Sequence, residues 1–398
     1  MRAPAATAES QPANDPYVRF GVPALGFRNY WYPACLSREL SNKPKRVTML
    51  GEDLALWREG KNVYALADRC AHRGARLSRG KCEFPGSGTI TCPYHGWTYD
   101  GRTGQGLAAL MEGPRVQPGP RNRVKAYPIE ERARLVWVFV GDMDAPPLGE
   151  DIPEWLVSDE WFAISVAVRY TCNWRALTDN WAQDWHANYV HRNSPEFFFQ
   201  PAPFARDMIV AEIPGKKGVG YLDVGGVNEA DFPDLGHWPR DNWRRFMKPK
   251  GVATVWFDSK NADAAEKRDG SKFLKQLRLP GYIMIGRGHR KYWLCQYATP
   301  VDNDTTILYN INIFKRTSLW SELYDRIHYG LFRGWAHDWL FSGQDKKILD
   351  DWEVGPERLA KTDLGVVQWR KFSAENARKP SASTVSGADA ANSSTKRG

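Results

Sequence analysis

Long apolar runs are missing from this 398-residue chain. None approaches the roughly eighteen consecutive residues a membrane-spanning helix needs, so a soluble globular protein with no membrane association is expected. Residues 1–20 carry Pro, Ser, Glu and Asp without an apolar h-region. That composition fits neither a signal peptide nor a transit sequence, and the cytoplasm is the expected location. Cysteine is scarce, at six, which excludes a disulfide scaffold and suits a reducing compartment. Four of the six, Cys35, Cys82, Cys172 and Cys295, show no paired spacing and read as free thiols. A basic stripe is also absent: the 55 Lys and Arg are interleaved with 46 acids, so the net charge of +9 gives no nucleic-acid footprint. A basic surface that docks an acidic electron carrier explains that charge, and so does a basic surface with no assigned partner. Tryptophan, at 18, is abundant and belongs mostly to core packing.

What is present centres on two short pairs, Cys70-Ala71-His72 and Cys92-Pro93-Tyr94-His95, separated by residues 73–91. Each pair supplies one sulfur and one nitrogen from a tight loop, and two such loops facing each other can enclose two irons. This is the ligand set of a Rieske [2Fe–2S] centre, with two thiolates on one iron and two imidazoles on the other. Gly74 and Gly96-Trp97, just past each His, suit the turns such loops need. A tetrahedral zinc site is the competing reading. Zinc fingers, however, usually pair Cys with Cys and His with His, and a shallow hairpin from Lys81 to Thr91 is not their pattern.

The length allows two domains. Residues 1–16 are polar and Pro/Ala-rich and are expected to be mobile. From Tyr30, the runs Val47–Leu50, Leu54–Trp57 and Val63–Leu66, broken at Gly51 and Gly60, read as antiparallel hairpins, and Leu135–Val140 as a buried strand. Pro146-Pro147 marks the exit from this part. The expected fold is α+β: an N-terminal antiparallel β Rieske domain, then a catalytic domain with an antiparallel sheet flanked by helices. The boundaries are an extension over 1–27, the Rieske domain over 28–145, the catalytic domain over 146–378 and a disordered tail over 379–398. In the catalytic part, Ala176–Val190 has helical character, and Val252–Phe257, Leu279–Ile285, Tyr292–Tyr297 and Thr306–Phe314 are strand-like. Residues 215–250 and 258–275 read as loops. Leu319, Leu323, Ile327, Leu331, Trp335 and Trp339 form the stripe of a long amphipathic helix.

A second constellation lies in Thr178–His191, where His186 and His191 are five apart and acids precede them. On a regular helix that offset lets both imidazoles reach one ion only with local distortion, so the site should sit near a bend or an end. Two His and one carboxylate on one face are what a non-heme iron(II) oxygenase uses.

The segment Cys70 to Tyr99, the opening Leu25–Pro33 and the lead-in Asn173-Trp174 resemble the aromatic-ring-hydroxylating Rieske oxygenases. The likeness is to their terminal oxygenase component, of the carbazole dioxygenase and oxoquinoline monooxygenase type. That resemblance implies His186 and His191 as ligands to a mononuclear Fe(II). It also implies a distal carboxylate in an acid-rich step near the C-terminus, for which Asp345 is the choice over Asp338, Asp350 and Asp351. The family's usual pattern has an Asp three residues before the first ligand His, linking the two metal sites; here Gln183 stands there, with Asp184 one step later. Asp184 takes the electron path, or Asp179 does, or the path is altered. The activity implied is hydroxylation of an aromatic or heteroaromatic substrate by angular or cis-dihydroxylating dioxygenation, with ring monooxygenation or oxidative O- or N-demethylation as the alternative. A homotrimer, a ferredoxin or NADH-dependent reductase as electron donor, and an apolar pocket including Phe197, Phe199 and Trp256 complete the expectation.

Overall fold

A computed structural model describes residues 15–183, 186, 190–191, 194, 205–213, 215, 218–227, 251–257, 275–287 and 292–379. The chain forms two compact units.

The first unit takes residues 25–169 and 299–315 together with the chain from 378. Its strands run β1 (Tyr30–Leu36), β2 (Lys45–Met49), β3 (Glu52–Glu59), β4 (Asn62–Ala67), β5 (Thr89–Thr91), β6 (Trp97–Asp100), β7 (Gly106–Ala109), β8 (Ile129–Arg132) and β9 (Leu135–Val140). They make three antiparallel three-stranded sheets, ordered β1-β9-β8, β2-β3-β4 and β5-β6-β7. The hairpins form where glycine breaks the apolar runs. Met49 pairs with Glu52 across Leu50-Gly51, both at positive φ, a two-residue turn whose twist matches the strands it joins. Trp57, Tyr64, Leu66, Leu77, Ile90 and Tyr99 pack into one buried cluster that includes Cys70 and Cys92, so the two loops are rooted in this core. A short helix, α1 (Glu154–Val157), leads to β10 (Trp161–Tyr170).

The second unit takes residues 15–24, 170–298 and 316–377. Helix α2 (Trp174–Ala182) starts at Asn173, whose side chain accepts the Arg175 N–H at 3.1 Å, the usual service of an Asn at a helix start. Next come β11 (Ala205–Glu212), β12 (Gly218–Val227), β13 (Gly251–Phe257), β14 (Lys275–Arg278), β15 (Tyr282–Arg287) and β16 (Tyr292–Pro300), and β17 (Thr306–Lys315) lies beside β10 in the first unit. The sheet order is β16-β15-β14-β12-β11-β13, antiparallel except for the parallel β11–β13 pair at one edge. Helix α3 (Leu319–His328) runs through wider π-type turns over Tyr329–Phe341 into α4 (Ser342–Leu349), and α5 (Leu364–Asn376) buries Val366, Trp369 and Phe372.

Several expectations change. Helix α2 ends at Ala182, so the stretch expected to be helical to Val190 is broken at Gln183, with His186 and Val190 helical again beyond the break. Residues 218–227, read as loop for their glycines, form β12. Leu279–Ile285 is not strand throughout, because Leu279, Pro280 and Gly281 form the turn between β14, which ends at Arg278, and β15, which starts at Tyr282. Asp15, inside the stretch expected to be mobile, is buried against Arg175 at 3.0 Å. The stripe from Leu319 to Trp339 lies on the exposed side of its helix, with Leu319 87 % and Trp339 75 % accessible. The tail from residue 380 lies outside the described residues. Among those described, no helix is long and apolar enough to cross a membrane.

Candidate metal centres

In the first unit the Cys70 and Cys92 side chains are buried, while His72 is exposed and His95 half-exposed. Two backbone bonds close each loop. Cys70 N–H donates to the Ala75 carbonyl at 2.8 Å and Gly74 N–H to the Cys70 carbonyl at 2.9 Å; Cys92 N–H donates to Trp97 at 2.7 Å and Gly96 N–H to Cys92 at 3.2 Å. Gly96 has φ +66°, and a Cβ there would sit 2.8 Å from Leu110, so this turn admits only glycine comfortably. Buried Asp68 braces the first loop by accepting both Ser78 N–H and Oγ–H at 2.6 Å. The two imidazoles face each other with ring centroids 4.8 Å apart, and Trp97 stacks on His72 at 4.9 Å. Tyr99 Oη lies 3.0 Å from Cys70 Sγ and accepts the Ala71 N–H at 3.1 Å. Burial pushes the Cys92 thiol up, a shift partly opposed by the Tyr94 N–H and reinforced by Cys70 beside it. Two buried sulfurs and two imidazoles on facing loops are the donor set that would hold a [2Fe–2S] group. Cys82 instead packs against the core, its thiol pushed up to about 11 by burial.

In the second unit the break in α2 creates the other site. Gln183 departs from helical geometry (φ −97°, ψ 67°), and His186 follows it. His186 Nδ1 lies 2.5 Å from the Gln183 carbonyl, which can only accept, so this nitrogen carries the proton. His191, fully buried and stacked on Phe341 at 3.6 Å, donates from Nδ1 to Gln344 Oε1 at 2.9 Å. In neutral rings both Nε2 atoms then present lone pairs, and both face Asp345 Oδ1, at 3.4 and 3.1 Å. The three ligand atoms lie within 4.8 Å of one another. Three lone-pair donors converging in a buried space repel unless a cation sits among them. Burial opposes the Asp345 charge, and the hydrogen bonds and charge of the neighbouring His186 and His191 outweigh it, holding the carboxyl well below its usual range. A divalent metal would play the same part, and two imidazoles with one carboxylate are the donor set of a non-heme Fe(II) site.

The competitors of Asp345 are engaged elsewhere. Asp338 accepts from Tyr329 Oη and lies 3.2 Å from His337 Nδ1. Asp350 takes the Thr171 N–H at 2.9 Å and Lys346, and Asp351 takes Thr171 Oγ1 at 3.4 Å. Asp179 is held by Arg370, with Nη2 2.5 Å from Oδ2, and by Tyr17 Oη at 2.5 Å. Asp184, Phe197 and Phe199 lie outside the described residues, and Trp256 is described only as a position on β13 opposite Ile209. Gln344 and the Gln183 carbonyl, which fix the two imidazoles, were not legible beforehand, because a side-chain amide and a peptide oxygen leave no spacing pattern.

Residues 30–128 match the Rieske [2Fe–2S] domain, so the chain carries that domain. Its fold is that of the terminal oxygenases of carbazole 1,9a-dioxygenase. The Novosphingobium sp. KA1 enzyme superimposes with TM-score 0.72 at 22 % identity, covering 90 % of this chain and 95 % of that one. A carbazole-bound oxygenase–ferredoxin complex gives 0.73 at 24 %, covering 94 % of each. In sequence, the chain is 37 % identical over 171 residues to the carbazole 1,9a-dioxygenase terminal oxygenase component CarAa of Metapseudomonas resinovorans, which is 43 % of this chain and 44 % of that protein. It is 38 % identical over 170 residues to the dicamba O-demethylase oxygenase component of Stenotrophomonas maltophilia, 42 % of this chain and 48 % of that one. The chain thus spans less than half the length of these curated relatives.

Proposed function

We propose that this protein is the terminal oxygenase of a Rieske-type system, an oxidoreductase that hydroxylates an aromatic or heteroaromatic substrate. One observation carries the reading: the Cys70/His72/Cys92/His95 loops and the converging His186, His191 and Asp345 occur in a single chain. The proposed division is a cluster domain over 28–145 and a catalytic domain over 146–378. Cys70, His72, Cys92 and His95 would hold a [2Fe–2S] cluster, and His186, His191 and Asp345 an Fe(II). When bound, these groups supply one-electron transfer and dioxygen reduction.

The chain's own part is positional. Nδ1–H donation to Gln183 and Gln344 fixes each ring so that Nε2 is turned toward Asp345, the arrangement that orients ligating imidazoles. Exposure of His72 and His95 leaves that end of the cluster loops open to an electron donor. The solved complexes noted above pair a similar oxygenase with ferredoxin. A ferredoxin, fed by an NADH-dependent reductase, is therefore the proposed donor here, and a homotrimer in the cytoplasm the proposed assembly. The exposed apolar row from Leu319 to Trp339 suits a contact surface. Asp184 remains the proposed link between the metal sites, because Asp179 is occupied by Arg370 and Tyr17.

Dioxygenation adds both oxygens of O2 to the ring, with two electrons and one proton supplied by NADH and a second proton by solvent. The second reading, monooxygenation with oxidative demethylation, sends one oxygen to water, and the likeness to a dicamba O-demethylase favours keeping it. Turnover with a surrogate reductant and O2 across fused heteroaromatics and methoxyarenes, read by product mass, separates the two. Gain of two oxygens supports dioxygenation, and gain of one oxygen or loss of a methyl supports the second. No oxygenated product together with zinc alone in the protein would end both.

A further inference from the structure

We infer that Asp363, acting through Gln183, is a positioning residue for His186; this rests on the metal-site reading above. Gln183 stands where α2 gives way to the ligand-bearing segment, and its peptide carbonyl takes two donors from one residue, His186 N–H at 3.1 Å and His186 Nδ1–H at 2.5 Å. The orientation of that single carbonyl therefore fixes both the backbone and the ring of the ligand. Gln183's own N–H closes the last helical bond to Asp179 at 2.8 Å, so only rotation about its ψ could re-aim the carbonyl. The side chain guards against that rotation: Gln183 Nε2 donates to Asp363 Oδ1. Asp363 is itself buried and tied down, its Oδ2 accepting the Ala360 N–H at 2.7 Å. Hydrogen bonds to a buried carboxylate are among the stronger neutral–ionic contacts, so this tether is stiff.

A second, independent feature presses the same point. A Cβ at Gly365 would lie 2.3 Å from the Ala182 carbonyl oxygen, so the first turn of α5 sits directly against the end of α2. Five residues on, Arg370 grips Asp179 one turn before that end. The two helices are thus already anchored by the Arg370 pair, and helix packing does not require a further buried acid aimed at Gln183. What that acid adds is control of the peptide that hydrogen-bonds the ligand ring. In this chain the position three before His186 carries an amide that reaches back to α5.

The test uses the full-length protein with its cluster intact and the mononuclear site emptied by chelation, titrated with Co(II) and followed by its visible bands. Asp363→Ala and Gln183→Leu should each weaken Co(II) binding about 10- to 100-fold and alter the band pattern, with cluster absorbance unchanged. Asp363→Asn keeps an accepting oxygen and should restore most of the affinity. Arg370→Lys, which loosens the helix pair alone, should lower the melting temperature while leaving Co(II) affinity near the parent value. Parent-like affinity in Asp363→Ala and Gln183→Leu would overturn the inference, as would an equal loss in Arg370→Lys. Should Asp363→Ala fail to fold, Gln183→Leu decides. A parent protein that binds neither Co(II) nor Fe(II) would instead remove the metal-site reading itself.

Discussion

The two candidate metal centres are built by opposite means. The cluster loops draw all four donors from residues 70–95, each pair on its own turn, with the sulfurs buried and the imidazoles toward solvent. The His186/His191/Asp345 site is buried throughout or nearly so, and takes its carboxylate from α4, far along the chain. A local motif needs only its hairpins to form. A non-local one needs segments distant in the chain brought together and each donor aimed by its own hydrogen bonds.

That contrast predicts separable failures. The largest effect should come from Cys92→Ser, which removes a cluster thiolate. Visible absorption of the cluster and all turnover should vanish, while titration still finds one Co(II) per chain at the other site; loss of both metals together would show that the sites are not independent. His191→Ala should do the converse, keeping the cluster absorbance and losing the mononuclear metal and oxygenation. It also strips buried Asp345 of a neighbour, at a cost of about 1–3 kcal/mol. Oxygenated product from purified His191→Ala would exclude this residue as a ligand.

A smaller, purely structural effect tests the anchoring. Arg370 is buried between two acids, Asp179 and Glu357, and lies over the Tyr17 ring at 4.1 Å. Arg370→Ala leaves Asp179 without its cation and should lower unfolding stability by about 3–5 kcal/mol, read as a shift in urea midpoint by circular dichroism. An unmoved midpoint would mean that α2 and α5 are held by apolar packing alone.

The same contrast explains what could be read in advance. Cys70-x-His72 and Cys92-x-x-His95 were legible because ligand chemistry, spacing and turn residues coincide within one short stretch. His186 and His191 were legible as a pair, and the expectation of a bend or end is met by the stop at Ala182. The strands at 205–212 and 218–227 were hidden by acids and by glycines, whose low strand preference is overridden by pairing with each other and with β14. The stripe from Leu319 to Trp339 has helical period but faces outward, since period reports which residues share a face and not what covers it. Asp363 carried no signal at all, because its role depends on a contact with Gln183, nearly the whole catalytic segment away.

The smallest effect concerns an ion cluster in the β unit that mirrors the Arg370 arrangement, with one acid between two cations. Glu52 Oε1 lies 2.6 Å from Arg28 and its Oε2 3.0 Å from Lys125, and Oε2 also accepts from Tyr127 Oη. Burial alone would raise this carboxyl, but the Tyr127 bond and the two cations outweigh it and hold it below its ordinary value of 4.5. Because the folded state binds the proton less readily than the unfolded chain, the contribution to stability is fully present above about pH 4.5 and is lost as pH falls through the lowered folded value. The side chain keeps a quarter of its surface exposed, so solvent screening limits the contribution to about 1 kcal/mol. Glu52→Gln should therefore melt below the parent at pH 6, with the gap closing as pH is lowered toward 3. Melting temperatures followed by cluster absorbance across that range measure it. A gap that stays constant with pH would mean that the lost contacts are steric or neutral hydrogen bonds, and that the charge of Glu52 contributes nothing.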